Sequence, residues 1–189
     1  MKIYTRAGDK GQTHTLCAGR VPKYDTRVEA LGAIDELNSW IGYICAINED
    51  NAVDEKLAWL QPKLNILLSD VAAPIKKTQR RGKISRVQPG WYGELEAQID
   101  RMQSDLPVLK GFIKTKCSKC SSIGAALNLA RVVCRRAERW LVLLREEEGG
   151  VNPEAVRFIN RLSDYLFTLE RWTTYRVRKD ETTLNKVCE

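Results

Sequence analysis

The sequence predicts an all-α protein, an up-and-down bundle of five helices in one domain that spans residues 1–189. Apolar residues recur at spacings of three and four in successive segments, which is typical of helices buried on one face. No alternating β pattern of useful length competes with them. Because 43% of the 189 residues are apolar, the chain can bury one substantial core. Long helices joined mostly by short connections favour a bundle.

The periodic segments define the helices in chain order. Asp25 or Thr26 is expected to cap the first helix, and Pro62 to kink the second or displace its start. The Gly149–Gly150 pair ends the fourth helix, and the Asn152–Pro153 pair starts the fifth. The expected helices cover about 26–44, 53–71, 91–104, 121–148 and 153–178. The other segments are expected to be a glycine-bearing loop at 1–24, an exposed basic linker at 75–90 and a loop at 106–120.

Charge and hydropathy limit the functional classes. The net charge of +7 and the pI near 9.1 favour anionic partners, but do not separate a nucleotide from a nucleic acid or a membrane surface. No apolar run approaches the ~18 residues that a membrane span needs, so no membrane partner is expected. The segment MKIYTRAGDKGQT has no apolar signal core, and a cytoplasmic product is expected.

Six cysteines in a chain of this size do not indicate a secreted disulfide scaffold. Cys45 and Cys134 lie on apolar helical faces and are expected to be small core residues. Cys117 and Cys120 form a lone CxxC, which fits either half of a zinc site or a lysine-flanked loop without a metal. No metal ligands are assigned.

The fourth helix carries an arginine stripe in RVVCRRAER. Arg131, Arg135 and Arg139 are spaced i, i+4, i+8 on one face, where like charges repel and Glu138 alone cannot offset them. Guanidinium groups bind phosphate oxygens in a bidentate way. The stripe therefore fits a polyanion partner, and equally a solvated basic face.

The amino-terminal TRAGDKGQT has the ingredients of a phosphate-binding loop, because glycines allow close backbone approach and Arg6 and Lys10 supply charge. It lacks the spacing of a Walker A loop and is also compatible with an ordinary turn. Two polar sets on helices complete the candidates: Asp35, Glu36 and Asn38, and Asn160, Arg161, Ser163 and Asp164. Asp35 and Asp164 are expected to balance arginines of the fourth helix, or to fix only the register of the bundle.

Four of these segments resemble one family. YTRAGDKGQT, RVEALGAIDELNSWIG, ARVVCRRAER and FINRLSDYLFTLER, in this order and with similar spacing, resemble the PduO-type ATP:cob(I)alamin adenosyltransferases over nearly the whole chain. The resemblance implies a ferritin-like four-helix core with one extra helix, assembled as a homotrimer with ATP bound between subunits. Residues 1–24 would be the phosphate-binding loop and 26–178 the helical bundle.

The implied reaction is attack of a Co(I) corrinoid on the 5′ carbon of Mg²⁺-ATP, which releases triphosphate and forms adenosylcobalamin without a general base. Arg135 would be the main cation at the leaving group. Asp35 and Arg131 would pair across the subunit interface beside the corrinoid, and Phe112 would help to displace the lower axial ligand of cobalt. The residues implied in ATP binding are Thr5, Arg6, Gly8, Lys10, Gly11, Thr13, Lys23, Arg135, Glu138, Arg139 and Asn160. A reductase and a B12-dependent enzyme are implied as further partners.

The sequence departs from the family pattern between Phe112 and Arg131, where KTKCSKC replaces a stretch rich in glycine and proline. Ala7 stands where threonine is usual, and Asn128 where histidine is common. Two other functions stay open: a helical protein, such as a sensor or chaperone, that binds ATP but has a lost or altered corrinoid site, and a basic RNA-binding bundle. The latter lacks interleaved exposed aromatic residues and a recognisable RNA motif, so no nucleic acid partner is expected.

Overall fold

A computed structural model describes residues 2–16, 19–75, 84–109, 112–113, 121–178 and 183–184 of the chain. Its helices are α1 (Thr26–Ile47), α2 (Asn51–Ala72), α3 (Trp91–Gln103), α4 (Ser122–Glu148) and α5 (Pro153–Arg178). Each of the five helices expected from the apolar period is confirmed. In the part of the chain that the structure describes, no helix combines the length and the apolar character needed to cross a membrane.

The core lies between the apolar faces of the helices. α1 packs against α2 and α4, and α5 packs against α3 and α4. Burial of each leucine or isoleucine contributes about 1.5–3 kcal/mol to folding. Cys134 is buried as expected, and burial raises the pKa of its thiol far above the ordinary value, whereas Cys45 is only half-buried. Core residues without exposed surface include Ile34, Leu37, Ile41, Leu57, Leu64, Leu127, Leu141, Leu162 and Leu166.

Local capping fixes the helix ends. The side chain of Asp25 accepts a hydrogen bond from the backbone N–H two residues on, at 2.9 Å, and Ser121 accepts one from the third residue on, at 2.9 Å. Gly149 ends α4 with a φ of 63°. Asn152 caps α5 through a bond of 3.1 Å. α2 begins at Asn51 and continues through Pro62, so the expectation of a displaced start is wrong.

A buried carboxylate joins the end of α2 to the start of α5. Asp70 accepts hydrogen bonds from Arg86 Nη1 at 2.6 Å, from the backbone N–H of Val87 at 2.8 Å and from Asn152 Nδ2 at 2.7 Å. Val87 is itself buried. The expectation of an exposed linker over 75–90 is therefore wrong at Arg86 and Val87, because a buried carboxylate needs partners. Residues 76–83 lie outside the described part of the chain.

The described residues include four short strands, each of two to four residues, which are too short to show an alternating apolar pattern in the sequence. β1 (Gln12–Thr15) and β2 (Gly19–Pro22) form an antiparallel hairpin in which Thr13 faces Val21. Gly19 has a φ of 78°, which glycine adopts without strain. The expectation of a loop without strands at 1–24 is wrong here. β3 (Phe112–Ile113) pairs with β4 (Thr183–Leu184) in the same antiparallel sense.

Gly124 allows α4 to approach α5 closely, which leads to a prediction about stability. A Cβ atom at Gly124 would lie 2.6 Å from Thr174 Oγ1, well inside van der Waals contact. We expect Gly124→Ala to lower the free energy of unfolding by about 1 kcal/mol, since overpacking costs about 1–3 kcal/mol and alanine regains about 1 kcal/mol of helix propensity. Urea denaturation followed by circular dichroism measures this change.

Two further variants make the measurement specific. Combining Gly124→Ala with Thr174→Ala removes the nearer obstructing hydroxyl and leaves Ser121 Oγ at 3.1 Å from the new Cβ atom, so the double variant is expected to regain most of the lost stability. Gly93→Ala on α3 is the matched control, because a Cβ atom there meets no atom within 4 Å, so its stability should be unchanged or slightly higher. A Gly124→Ala protein as stable as the wild type would contradict the close approach.

Candidate functional site

The predicted arginine stripe forms along one face of α4. Arg135 and Arg139 are exposed and Arg131 is half-buried. Arg139 Nη1 donates to the backbone oxygen of Arg135 at 3.1 Å. Arg131 Nε donates to Asn128 Oδ1 at 3.0 Å, and its guanidinium carbon lies 6.0 Å from the centre of the Phe167 ring on α5. Arg131 therefore lies next to the α4–α5 contact, while Arg139 lines a cleft with Arg136, Trp140 and Leu143.

Within the described residues, no carboxylate partners this stripe, although the neighbouring Arg136 has one. Arg136 forms an ion pair with Glu36 of α1. The hydrogen bonds of Arg131 and Arg139 end on an amide and a backbone oxygen, and the Arg135 guanidinium forms none with the residues that the structure describes. Arginines spaced i, i+4 repel each other by a few tenths of a kcal/mol per pair. An uncompensated stripe beside a compensated arginine favours an anion site over a merely solvated face.

A hydrogen bond across two helices joins two more of the predicted nucleotide residues. Glu138 Oε1 of α4 accepts from Asn160 Nδ2 of α5 at 2.6 Å. Asn160 also lines a cleft of about 180 Å³ between α3 and α5, together with Tyr92 and Arg157. The α4–α5 edge therefore brings together the arginine stripe, a carboxylate and an amide.

The amino-terminal segment, residues 5–13 with Lys23, forms a glycine turn, and the Lys23 side chain lies along its backbone. Arg6 has a φ of 57° and Gly11 a φ of 73°. The backbone N–H of Lys23 donates to the oxygen of Gly11 at 2.9 Å. A Cβ atom at Gly8 would lie 3.4 Å from Lys23 Nζ, so the lysine side chain runs along the turn. The same segment carries Thr5, Lys10 and, on β1, Thr13.

No hydrogen bond that the structure describes joins the amino-terminal segment to the arginine stripe within one chain. The hydrogen bonds that the structure describes for residues 5–13 and 23 stay within the segment and its hairpin. Arg6 and Lys2 lie over the ring of Tyr4, at 5.6 Å and 5.8 Å from its centre. Among the described residues, no hydrogen bond therefore links the two predicted halves of the phosphate site within one chain.

The expected pairing of Asp35 and Asp164 with arginines of α4 is wrong within the chain. Asp164 pairs with Arg161 one turn earlier on α5, at 2.8 Å, because a partner at i−3 on the same helix is closer than one on α4. Asp35 is exposed and its carboxylate forms no ion pair among the described residues. Glu36, one position on, reaches α4 instead through Arg136.

The stretch around Phe112 is only partly described. The backbone of β3 pairs with β4, but the side chain of Phe112 lies outside the described part of the structure, as do Cys117 and Cys120. Among the residues that are described, no group of three or more His, Cys, Asp and Glu side chains could hold a metal ion. The alternatives for the CxxC and the role of Phe112 stay predictions.

An apolar groove between α1 and α4 was missed in the sequence. It encloses about 590 Å³, and Tyr43 and Leu129 on its walls are 52% and 47% exposed. A signal for it exists, because Trp40, Tyr43 and Ile47 repeat at spacings of three and four on α1. Trp40 packs against the edge of the core, whereas Tyr43 and Ile47 are exposed. Its lining is Glu36, Ser39, Trp40, Tyr43, Ile47, Ser122, Ala125, Ala126 and Leu129.

Comparison with known families gives this site its context. The family model for cobalamin adenosyltransferase matches residues 3–173, which include the amino-terminal segment, the groove and the arginine stripe. The chain belongs to the cobalamin adenosyltransferase family. The predicted membership of a corrinoid adenosyltransferase family is thereby confirmed.

Relatives of this adenosyltransferase are similar over most of their length. The chain is 39% identical over 183 residues to the corrinoid adenosyltransferase of Mus musculus, covering 95% of this chain and 76% of the relative. It is 39% identical over 171 residues to the corrinoid adenosyltransferase of Bacillus subtilis, covering 90% and 86%. A solved structure of a variant PduO-type ATP:corrinoid adenosyltransferase from Lactobacillus reuteri, complexed with cobalamin and ATP, superposes with a TM-score of 0.89 at 34% identity, covering 98% of this chain and 100% of that chain.

Proposed function

We propose that this protein transfers the 5′-deoxyadenosyl group of ATP to the cobalt of a reduced corrinoid and releases triphosphate. The observation that carries the proposal is the stripe of three guanidinium groups on α4 without a carboxylate partner in the described residues. Such a stripe fits a polyphosphate in both charge and geometry. The relatives named above act on corrinoids, and the L. reuteri structure holds ATP and cobalamin together.

The chemistry is a displacement at carbon. The electron pair of Co(I) forms the bond to the 5′ carbon of ATP, the bond from that carbon to the phosphate oxygen breaks, and its electrons leave with triphosphate. No proton needs to move, so a general base is not required. Cations that are already in place stabilise the charge that develops on the leaving oxygen. We assign this role chiefly to Arg135, because its guanidinium forms no hydrogen bond in the described structure.

The amino-terminal segment is proposed to hold the phosphates. Its glycines allow the backbone to come close to an anion, and Lys23 already lies along the turn beside Gly8. Mg²⁺ is proposed to enter with ATP as its counterion. The proposed nucleotide set is Thr5, Arg6, Gly8, Lys10, Gly11, Thr13 and Lys23 from this segment, with Arg135, Glu138, Arg139 and Asn160 from the α4–α5 edge.

We further propose that the two halves of this set come from neighbouring copies of the chain in a homotrimer. Two observations support this assembly. No described hydrogen bond joins the amino-terminal segment to the stripe within one chain, and the apolar groove between α1 and α4 leaves Tyr43 and Leu129 about half exposed. Exposed apolar surface of this kind is typical of an interface. The second copy would bring its segment to the stripe and cover the groove.

Asp35 is proposed to pair with Arg131 of a neighbouring subunit beside the corrinoid. Asp35 is exposed next to the groove residue Glu36, and among the described residues the Arg131 side chain donates a hydrogen bond only to the amide of Asn128. We expect Asp35→Ala to raise the KM for the corrinoid by about tenfold, the cost of about 1.4 kcal/mol from a lost charged hydrogen bond, and to leave the KM for ATP within twofold. Steady-state assays with each substrate varied measure both constants. An equal rise in both would contradict the assignment.

One assay separates the enzyme from its alternatives. Purified protein is mixed with ATP, Mg²⁺ and chemically reduced cobalamin, and the absorbance change on formation of the cobalt–carbon bond is followed. Product formation supports the proposal. ATP binding without product would favour a nucleotide-binding protein with an altered corrinoid site, the alternative that the KTKCSKC segment motivates. A cytoplasmic location, a reductase and a B12-dependent acceptor enzyme stay predictions.

A further inference from the structure

The carboxyl end of α4 carries negative charge where a helix disfavours it. Glu146, Glu147 and Glu148 are the last residues of α4, and the carboxyl end of a helix already bears partial negative charge. Glu146 is compensated locally by Arg145, at 2.9 Å. Glu147 and Glu148 instead accept hydrogen bonds from α1. Their unfavourable interaction with the helix dipole is therefore not offset by a described neighbour on α4.

Glu147 and Glu148 hold the first turn of α1. Thr26 Oγ1 donates to Glu147 Oε2 at 2.6 Å, and Arg27 Nη2 donates to Glu148 Oε2 at 2.8 Å. Arg27 is 2% exposed and also donates through Nη1 to the backbone oxygen of Val71 at 2.5 Å. We refer to Thr26, Arg27, Glu147 and Glu148 as the α1 latch. It attaches the start of α1 to the ends of α4 and α2.

The latch lies directly after the proposed phosphate-binding segment. Lys23, which runs along the Gly8 turn, precedes Thr26 by three positions. The intervening Asp25 caps α1 through the backbone N–H of Arg27 at 2.9 Å. The backbone N–H of Lys23 donates to the oxygen of Gly11 at 2.9 Å, so the residues before α1 are hydrogen-bonded to the glycine turn. The start of α1 is therefore the fixed point from which the segment extends.

We propose that Thr26, Glu147 and Glu148 are positioning residues for ATP, which fix the start of α1 and thereby the placement of Lys23 and the glycine turn. The inference rests on the proposed function of the segment. Without the latch the segment has more conformations to lose when ATP binds. Affinity for ATP then falls, while the chemical step with ATP in place is little changed because the latch touches no reacting atom.

The experiment compares Thr26→Val, Thr26→Ser and the double variant E147Q/E148Q with the wild-type protein. ATP affinity is measured by calorimetry without corrinoid, and KM and kcat by the adenosylation assay. Thr26→Val loses one hydrogen bond, whereas the double variant keeps two acceptor oxygens but removes the negative charge that strengthens their hydrogen bonds. Both are expected to raise the Kd and KM for ATP about three- to tenfold, with kcat within twofold. Thr26→Ser keeps the hydroxyl and is expected to restore wild-type values.

Glu146→Gln is the control for the loss of a carboxylate at this helix end, since Glu146 contacts only Arg145 among the described residues. Wild-type Kd values in Thr26→Val and the double variant, with only a lower melting temperature, would overturn the proposal. Should the double variant fail to fold because Arg27 loses its charged partner, Thr26→Val alone decides. If the wild-type protein itself does not bind ATP, the proposed function fails first, which keeps the two failures distinguishable.

Discussion

Arg135→Ala is expected to lower kcat about a hundred- to a thousandfold while the assembly stays intact. The reason is that removal of one preorganised group that stabilises developing negative charge costs about 3–4 kcal/mol in the transition state. Because the guanidinium of Arg135 forms no described hydrogen bond, its loss leaves no other side chain unpartnered. The rate of adenosylation at saturating ATP and corrinoid measures the effect, with circular dichroism as the test of folding.

Arg145→Ala is the control for the loss of one arginine from α4. Arg145 is 45% exposed and pairs only with the adjacent Glu146 among the described residues, so kcat should stay within about twofold. Arg135→Lys adds a second comparison, because lysine keeps the charge but not the bidentate fork, and an intermediate rate is expected. A wild-type rate in Arg135→Ala would remove the proposed role at the leaving group.

The helices could be predicted because each one buries a single face. The apolar period from Val28 to Ile44 indicates the side of α1 that packs on α2 and α4. The helix ends are marked by Ser121, Gly149 and the Asn152–Pro153 pair, because capping hydrogen bonds depend on the local sequence. The hairpin of β1 and β2 could not be predicted in this way. Its strands are four residues long and bury no core face, so pairing alone defines them.

The site could be predicted in its residue types but not in all of its pairings. The spacing of Arg131, Arg135 and Arg139 fixes a shared helical face, which the structure confirms. Which residue pairs with which depends on distances in the folded protein, and the spacing of residues in the sequence does not give those distances. Asp164 therefore pairs on its own helix with Arg161, and no sequence pattern indicated that Arg136, beside the stripe, has a carboxylate partner on α1.

The groove was missed because an apolar residue on the outer face of a helix has the same sequence signal as one on the inner face. Trp40, Tyr43 and Ile47 continue the apolar content of α1, yet they line the surface between α1 and α4. Leu129 does the same on α4, where it is 47% exposed. Only the three-dimensional packing separates these residues from the core. That separation is what makes the groove a candidate for a subunit interface.

Leu129→Glu is expected to dissociate the proposed trimer and to lower activity at least about a hundredfold without unfolding the chain. Burying an unpaired carboxylate in an apolar interface costs several kcal/mol. A loss of this size in the free energy of association is enough to dissociate a moderately stable trimer. Leu129 is already half exposed in one chain, so the monomer itself should tolerate the change. Analytical ultracentrifugation gives the assembly state, and the adenosylation assay gives the activity of the same sample.

Val177→Glu distinguishes this effect from a general response to added charge. Val177 is 68% exposed near the end of α5 and does not line the groove, so this variant should keep both assembly and activity. A Leu129→Glu protein that stays assembled would mean that the groove is not the interface. A monomer with wild-type activity would mean that one chain holds a complete site. The amino-terminal segment and the arginine stripe would then have to bind the same ATP molecule within one subunit. Loss of assembly together with activity places the two halves of the phosphate site on different subunits.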